Sequence, residues 1–296
     1  TMDIAVLFPG QGSQKVGMGL KHYKNSVPFQ NVVNEADRIL GYSISNIMFE
    51  GPDELLKQTE HTQPAIFVHS LALFGTLDIK PDRAAGHSLG EFSALAASGA
   101  LSFEDALKLV RRRGQLMQNA GIQNPGTMAA IIGMEDETVI DICSQAREKT
   151  NLEVSAANFN SPGQIVISGY EESVDVAIDI AKENGCRLAK KLPVSGAFHT
   201  SLMKPALEGL KDSLENVTIN KPSFPIYSNY TAKATTDPDT LRTNLLEQLM
   251  NPVRWTETIQ NMDADGAEKF VEVGPGKVLQ GLVKRTLKDT TIEGYE

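Results

Sequence analysis

The chain alternates short apolar runs with longer segments in which apolar side chains recur every three or four positions, the pattern of an α/β protein. Residues 4–8 are apolar throughout, which predicts a central parallel strand covered on both faces. Asp82-Arg83-Ala84-Ala85 predicts the end of a second short strand, and residues 91–97 a helix that stops at Gly99. From 127 to 192 the order becomes compact: strand 127–132, helix 136–149, strands 154–158 and 164–168, helix 171–184 and strand 187–192. The second of these helices carries Val174, Ala177, Ile178 and Ala181 on one face, and Gly185 stands where a C′ residue belongs. This βαββαβ order is that of a ferredoxin-like unit. α/β character on both sides makes it an insert, entered through a glycine- and proline-rich hinge at residues 121–126 and left through residues 194–199. The expected division is a large unit, residues 1–126 and 193–296, with a small inserted unit, residues 127–192.

The segment after Ser102 predicts a long helix. Ser102 and Asp105 resemble a capping box, and Ala106, Leu109, Val110, Leu116, Met117 and Ala120 mark its apolar stripe. Arg113 lies in the middle of that stripe, four residues from Leu109 and Met117, whereas Arg111 and Arg112 are rotated by roughly 200° and 100°. An inward guanidinium is expensive unless it meets an anion. Arg113 therefore requires a buried carboxylate or a charged ligand, unless its head escapes along the surface to water.

Composition narrows the function classes. A chain of 296 residues with 41% hydrophobic content is long enough for one large domain or a domain with an insert. Its formal net charge of −9 argues against nucleic acid or an anionic membrane as the main partner. Cys143 and Cys186 make no disulfide framework and have no metal-ligand spacing, which predicts a reducing, cytoplasmic setting. Cys143 shares a helical face with Val139, Ile142 and Ala146 and reads as buried filler. The apolar run at 4–8 is too short for a signal peptide or a membrane span.

Candidate chemistry centres on Gly86-His87-Ser88-Leu89-Gly90, which fits the G-x-S-x-G nucleophile elbow. There a serine sits on a strand-to-helix turn too crowded for side chains beside it, and an N–H at the helix start, from Leu89, faces an oxyanion. The same pentapeptide also occurs in ordinary turns. The first strand ends in Pro9-Gly10-Gln11-Gly12-Ser13-Gln14, a loop whose backbone suits close approach at a site, or a plain surface turn.

Taken together, these segments resemble the malonyl-CoA:acyl carrier protein transacylases. The matching motifs are Phe8 to Gln14, Thr62-Gln63-Pro64-Ala65, Gly86 to Glu91, Arg113-Gly114, Asn158 to Gln164, Gly196-Ala197-Phe198-His199, Asn251-Pro252-Val253 and Glu272 to Leu279. They run in order along nearly the whole chain. The resemblance implies an α/β-hydrolase-like large subdomain with a ferredoxin-like insert. It implies Ser88 as the nucleophile that takes malonyl from coenzyme A and passes it to the phosphopantetheine thiol of acyl carrier protein, and His199 as the base. It implies backbone N–H groups of Gln11 and Leu89 as oxyanion donors, the carbonyl of Gln248 as the group orienting His199, and Arg113 as the partner of the malonyl carboxylate. Gln63 and Asn160 match positions near the acyl pocket. Phe198 matches the pattern that narrows the pocket toward malonyl. His87 is expected to point away from the hydroxyl and to pack. No bound cofactor or metal is expected, and the protein is expected to act as a monomer. Arg187, Lys190, Lys191, Lys277, Lys284 and Arg285 offer positive charge to an acidic carrier. The alternatives are a polyketide acyltransferase, an acyl-thioester hydrolase using the same serine and histidine, and a catalytically idle carrier-docking module.

Overall fold

The apolar run at residues 4–8 forms a strand with both faces covered. Its side chains alternate between two cores: Val6 and Phe8 meet Phe67 and Phe92, while Ala5 and Leu7 meet Trp255 and Phe270. The computed structural model describes residues 1–296 and contains ten strands. They are β1 (Ile4–Phe8), β2 (Arg83–Gly86), β3 (Thr127–Ile132), β4 (Val154–Ser161), β5 (Gln164–Gly169), β6 (Leu188–Lys191), β7 (Ile226–Tyr227), β8 (Ala234–Thr235), β9 (Lys269–Val273) and β10 (Thr291–Tyr295). The larger sheet has the order β10-β9-β1-β2-β7-β8 and is parallel except for β8. Its register pairs Phe8 with Gly86, so the loops after β1 and β2 leave the same sheet end side by side. In parallel sheets that end is where sites form.

The second sheet is antiparallel, with the order β4-β5-β3-β6. One face, with Ala129, Ile131, Ile165 and Ile167, packs on helices Asp136–Thr150 and Glu171–Glu183. Cys143 is buried in that core, beside Val139, Ile142 and Ala146. Met128 and Val166 belong to the opposite face and join the core of the larger sheet. The two sheets are tied at Val253, whose N–H donates to Ala157 O at 2.8 Å and whose carbonyl accepts from Phe159 N at 2.9 Å. No helix is long and apolar enough to cross a membrane.

Most predicted ends fall within one or two residues of the observed ones, with two differences. β4 runs on to Ser161 through bulges because its Asn158 end is held by Val253. The hinge is shorter than expected, since the helix Phe103–Gln123 continues through Gly121. Asn124-Pro125-Gly126 alone make the passage, and Gly126 O accepts from Gly196 N at 3.0 Å, which joins entry to exit. The helix starts as its sequence suggests, with Ser102 Oγ accepting from Asp105 N at 3.1 Å.

Helix Thr59–Phe74 is buried along almost its whole length and carries His69 into the core. The imidazole meets Phe29 edge-on at 6.0 Å, and neither ring nitrogen has a hydrogen-bond partner. Burial pushes its pKa down from 6.5 to about 4. A depressed basic group stabilises the fold above its unfolded pKa and loses that contribution as pH falls through the folded value. Between pH 7.5 and 4.5 His69 should therefore cost the protein roughly 2–3 kcal/mol. Urea unfolding of the wild type and His69→Leu at both pH values should show a smaller acid loss in the variant by that amount. Identical pH dependence would contradict the assignment.

Candidate active site

The turn that follows β2 is held by steric exclusion. A Cβ on Gly86 would stand 1.8 Å from the carbonyl group of Gly90, and one on Gly90 would stand 2.1 Å from Phe8 O. Only glycine permits the chain to double back there, and Ser88 at its tip takes a left-handed conformation with φ 51°. Helix Gly90–Ala97 follows at once. The loop after β1 lies against this turn, since a Cβ on Gly10 would come within 2.3 Å of His87 O. Gln11 and Leu89 thus flank Ser88 from two loops, and neither backbone N–H donates to a protein acceptor.

Four more segments bring side chains to Ser88. Its Oγ lies 2.9 Å from His199 Nε2 and 3.2 Å from Arg113 Nη2. His199 has φ 60°, and its Nδ1 is 2.9 Å from the backbone carbonyl of Gln248, which fixes Nδ1 as the donor and leaves Nε2 free to accept. Burial first, and then the charge of Arg113, push the imidazole pKa down to about 3. Arg113 is 1% exposed, so its head does not escape to water. Nη1 donates to Gln63 Oε1 at 2.7 Å, Nη2 to Gln248 Oε1 at 2.9 Å, and the guanidinium lies 5.3 Å from the Phe92 ring centroid. Its Nε has no partner. Burial draws its pKa down to about 10, still a cation at neutral pH.

A cleft of about 220 Å³ opens beside Ser88, between the two sheets. Gln11, Asn160, Phe198 and His199 line it, with Met128, Val166 and Val194 supplying apolar wall. Asn160 Oδ1 is 2.7 Å from His87 Nε2, and the His87 ring stacks obliquely on Trp255 at 5.3 Å. His87 makes no hydrogen bond to Ser88, yet it lines the cleft and fixes Asn160. Gln63 reaches the site through Arg113. Of the basic residues marked for a carrier, Lys191 is committed to Asp175 at 2.7 Å and Glu171 at 3.0 Å, and Lys277 lies 4.0 Å from Glu296.

Three side chains at the site have no role assigned to them by the sequence. Asn229, fully buried, accepts from Ser88 N at 2.7 Å and donates to Gly86 O at 2.7 Å. The side chain of Gln248 bridges Arg113 and Ser88 O. Glu91 is fully buried beside Phe92, Ala94 and Leu95. Its signal was legible: an acid on an otherwise apolar helix raises the same question as Arg113. Asn229 offers no such cue, because it is recruited across 141 residues of chain.

Comparison with known proteins gives one consistent result. The model of the acyl transferase domain family matches residues 6–295. The malonyl CoA-acyl carrier protein transacylase of Bacillus subtilis (strain 168) is 47% identical over 285 residues, covering 95% of this chain and 90% of its own. The solved transacylase of the same name from Coxiella burnetii is 39% identical, with a TM-score of 0.96, covering 99% of this chain and 93% of that one. A malonyl-transacylase solved in complex with a type II polyketide acyl carrier protein is also 39% identical, with a TM-score of 0.94, covering 99% and 94%.

The elbow geometry yields a direct test. Gly86→Ala should destabilise the protein by at least about 3 kcal/mol in urea unfolding, because the added methyl meets backbone on a turn that cannot shift. Wild-type stability in that variant would show that the turn is not sterically locked.

Proposed function

The chain belongs to the acyl transferase domain family, and on that premise we infer that it transfers a malonyl group from malonyl-CoA to the phosphopantetheine thiol of acyl carrier protein, supplying extender units for fatty acid synthesis. The observation that carries the reading is one nucleophile placed between a base and a buried cation: Ser88 Oγ stands within hydrogen-bond reach of both His199 and Arg113. A hydrolase of simple acyl thioesters has no use for the cation. A malonyl group brings the carboxylate it lacks.

In the proposed reaction Ser88 Oγ attacks the thioester carbonyl while His199 Nε2 takes its proton. The developing oxyanion is received by the N–H groups of Gln11 and Leu89. Collapse expels the coenzyme A thiolate, which takes the proton back from His199 and leaves malonyl as an ester on Ser88. The carrier thiol then gives its proton to His199 and attacks that ester, and the departing Ser88 Oγ takes that proton back, which restores both residues. Gln248 O keeps the imidazole in the tautomer both half-reactions need, so no aspartate is required. Acylation removes Ser88 Oγ as an acceptor for Arg113 Nη2, and Nη2 together with the unpartnered Nε then forms an edge for the malonyl carboxylate. Phe198 and Asn160 bound the acyl pocket. The residues present supply this sequence without a bound cofactor.

The same reading carries finer proposals. The large unit is α/β-hydrolase-like and the insert, residues 127–192, is ferredoxin-like, which the strand order β4-β5-β3-β6 supports. A monomer in the cytoplasm suits two unpaired thiols and small soluble substrates. The polyketide-carrier complex of a related transacylase favours one second reading, in which the carrier belongs to a polyketide pathway.

Arg113 separates recognition from chemistry. Arg113→Ala leaves a malonyl carboxylate buried without its partner, a loss of roughly 3–5 kcal/mol. kcat/KM for malonyl-CoA should fall at least about a hundredfold, while that for acetyl-CoA should change little or rise. Arg113→Lys should rescue poorly, because an ammonium cannot reproduce the fork. An equal loss for both thioesters would assign Arg113 to the fold. His199→Ala should slow acylation about a hundredfold or more. Loss of the acyl group to water as fast as to a carrier thiol would favour the hydrolase.

A further inference from the structure

Ser88, Arg113 and the carbonyl that orients His199 belong to three distant segments, and all three are joined to one buried side chain that the transfer reaction leaves unused. Glu91 Oε1 accepts from Asn229 N at 2.8 Å and from Gln248 Nε2 at 3.3 Å. Asn229 then holds the elbow on both sides of the nucleophile, through Ser88 N and Gly86 O. The two hydrogens of Gln248 Nε2 are shared among Glu91 Oε1, Ser88 O at 2.9 Å and Asn229 Oδ1 at 3.1 Å, its Oε1 accepts from Arg113, and its backbone carbonyl holds His199. Every hydrogen bond made by the Glu91 carboxyl is one it accepts, and Oε2 has no partner.

We propose that Glu91, as a buried carboxylate, is a positioning residue of this site, holding Asn229 and Gln248 so that the elbow, the base and Arg113 keep one mutual geometry. The inference rests on the proposed acyl transfer through Ser88. An anionic acceptor makes both hydrogen bonds charge-assisted and stronger than neutral ones. A neutral side chain is poorly accommodated: a proton on Oε2, or the NH2 of a glutamine in its place, would be a buried donor with no acceptor. The charged side chain facing Glu91 is Arg113, from helix Phe103–Gln123, which favours the anion. His199 stands one step further, through Gln248. Strand β1 contributes no titratable group, Arg83 of β2 is paired with Asp3, and none of Glu60, His61 and His69 on helix Thr59–Phe74 hydrogen-bonds to Glu91. Burial nevertheless raises the Glu91 carboxyl to about 7, within reach of an ordinary pH profile and well above His199.

The test compares wild type with Glu91→Gln, using malonyl- and acetyl-pantetheine, which carry no phosphate to titrate. At pH 8, with folding verified by Tm, the variant should lose about tenfold in kcat for both thioesters, with KM within about twofold. In the wild type kcat/KM should fall as pH drops through about 7, since protonation loosens the cluster, and Glu91→Gln should lack that limb. A wild-type kcat in the variant, a loss confined to malonyl, or a limb that persists unchanged would each overturn the proposal. Absence of acyl-enzyme in the wild type would instead defeat the transfer reading itself. A second measurement needs no variant. The amide signals of Ser88 and Asn229 in the NMR spectrum of the wild-type protein should shift together with a midpoint near pH 7, and signals unmoved between pH 6 and 8 would show that the carboxylate does not govern the elbow.

Discussion

A cation buried without a carboxylate in direct contact is the constraint around which this site is built. Arg113 is 1% exposed, and its protein partners at hydrogen-bond distance are the neutral oxygens of Gln63, Gln248 and Ser88. A desolvated charge met by neutral acceptors alone is only partly compensated. The fold tolerates it because Phe92 covers the guanidinium and Glu91 lies near enough to favour the charged state. The remaining demand for an anion is the physical basis of the proposed preference for a substrate with its own carboxylate.

The same charge acts on the base. Burial and Arg113 together hold the His199 imidazole at about 3, which makes it a poor acceptor for a proton. In the proposed reaction a malonyl carboxylate paired with Arg113 would cancel the second of these effects and raise the basicity of His199. Acetyl brings no such charge. On that proposal, selectivity for malonyl would be expressed in the chemical step as well as in binding, through one cation serving both.

What the sequence makes legible is whatever is encoded locally. The elbow can be read because Gly86 and Gly90 are needed by contacts within one turn, and the inserted unit because each of its strands and helices has its own period. Arg113 stands out because a charge within an apolar stripe conflicts with its surroundings. Glu91 carries the same conflict, but inside a motif read for its serine it passes as a helix-starting acid. The side chains of Asn229 and Gln248 lie beyond such reading, since their partners are 141 and 160 residues away at the elbow. Gly121 reads as part of a hinge because glycine marks loops and helix ends more often than helix interiors. Its place inside the helix Phe103–Gln123 follows from a neighbour in space, since a Cβ there would stand 2.8 Å from Ser195 O.

A covalent bond between malonyl and Ser88 is the central claim of the proposed reaction. Intact-protein mass spectrometry after brief mixing with malonyl-CoA, followed by peptide mapping, tests it directly. One malonyl group should appear per chain, on the peptide carrying Ser88, and it should vanish on addition of holo-acyl carrier protein and be absent from Ser88→Ala. An unmodified protein that still transfers malonyl, or a malonyl group mapped to any other residue, would contradict it.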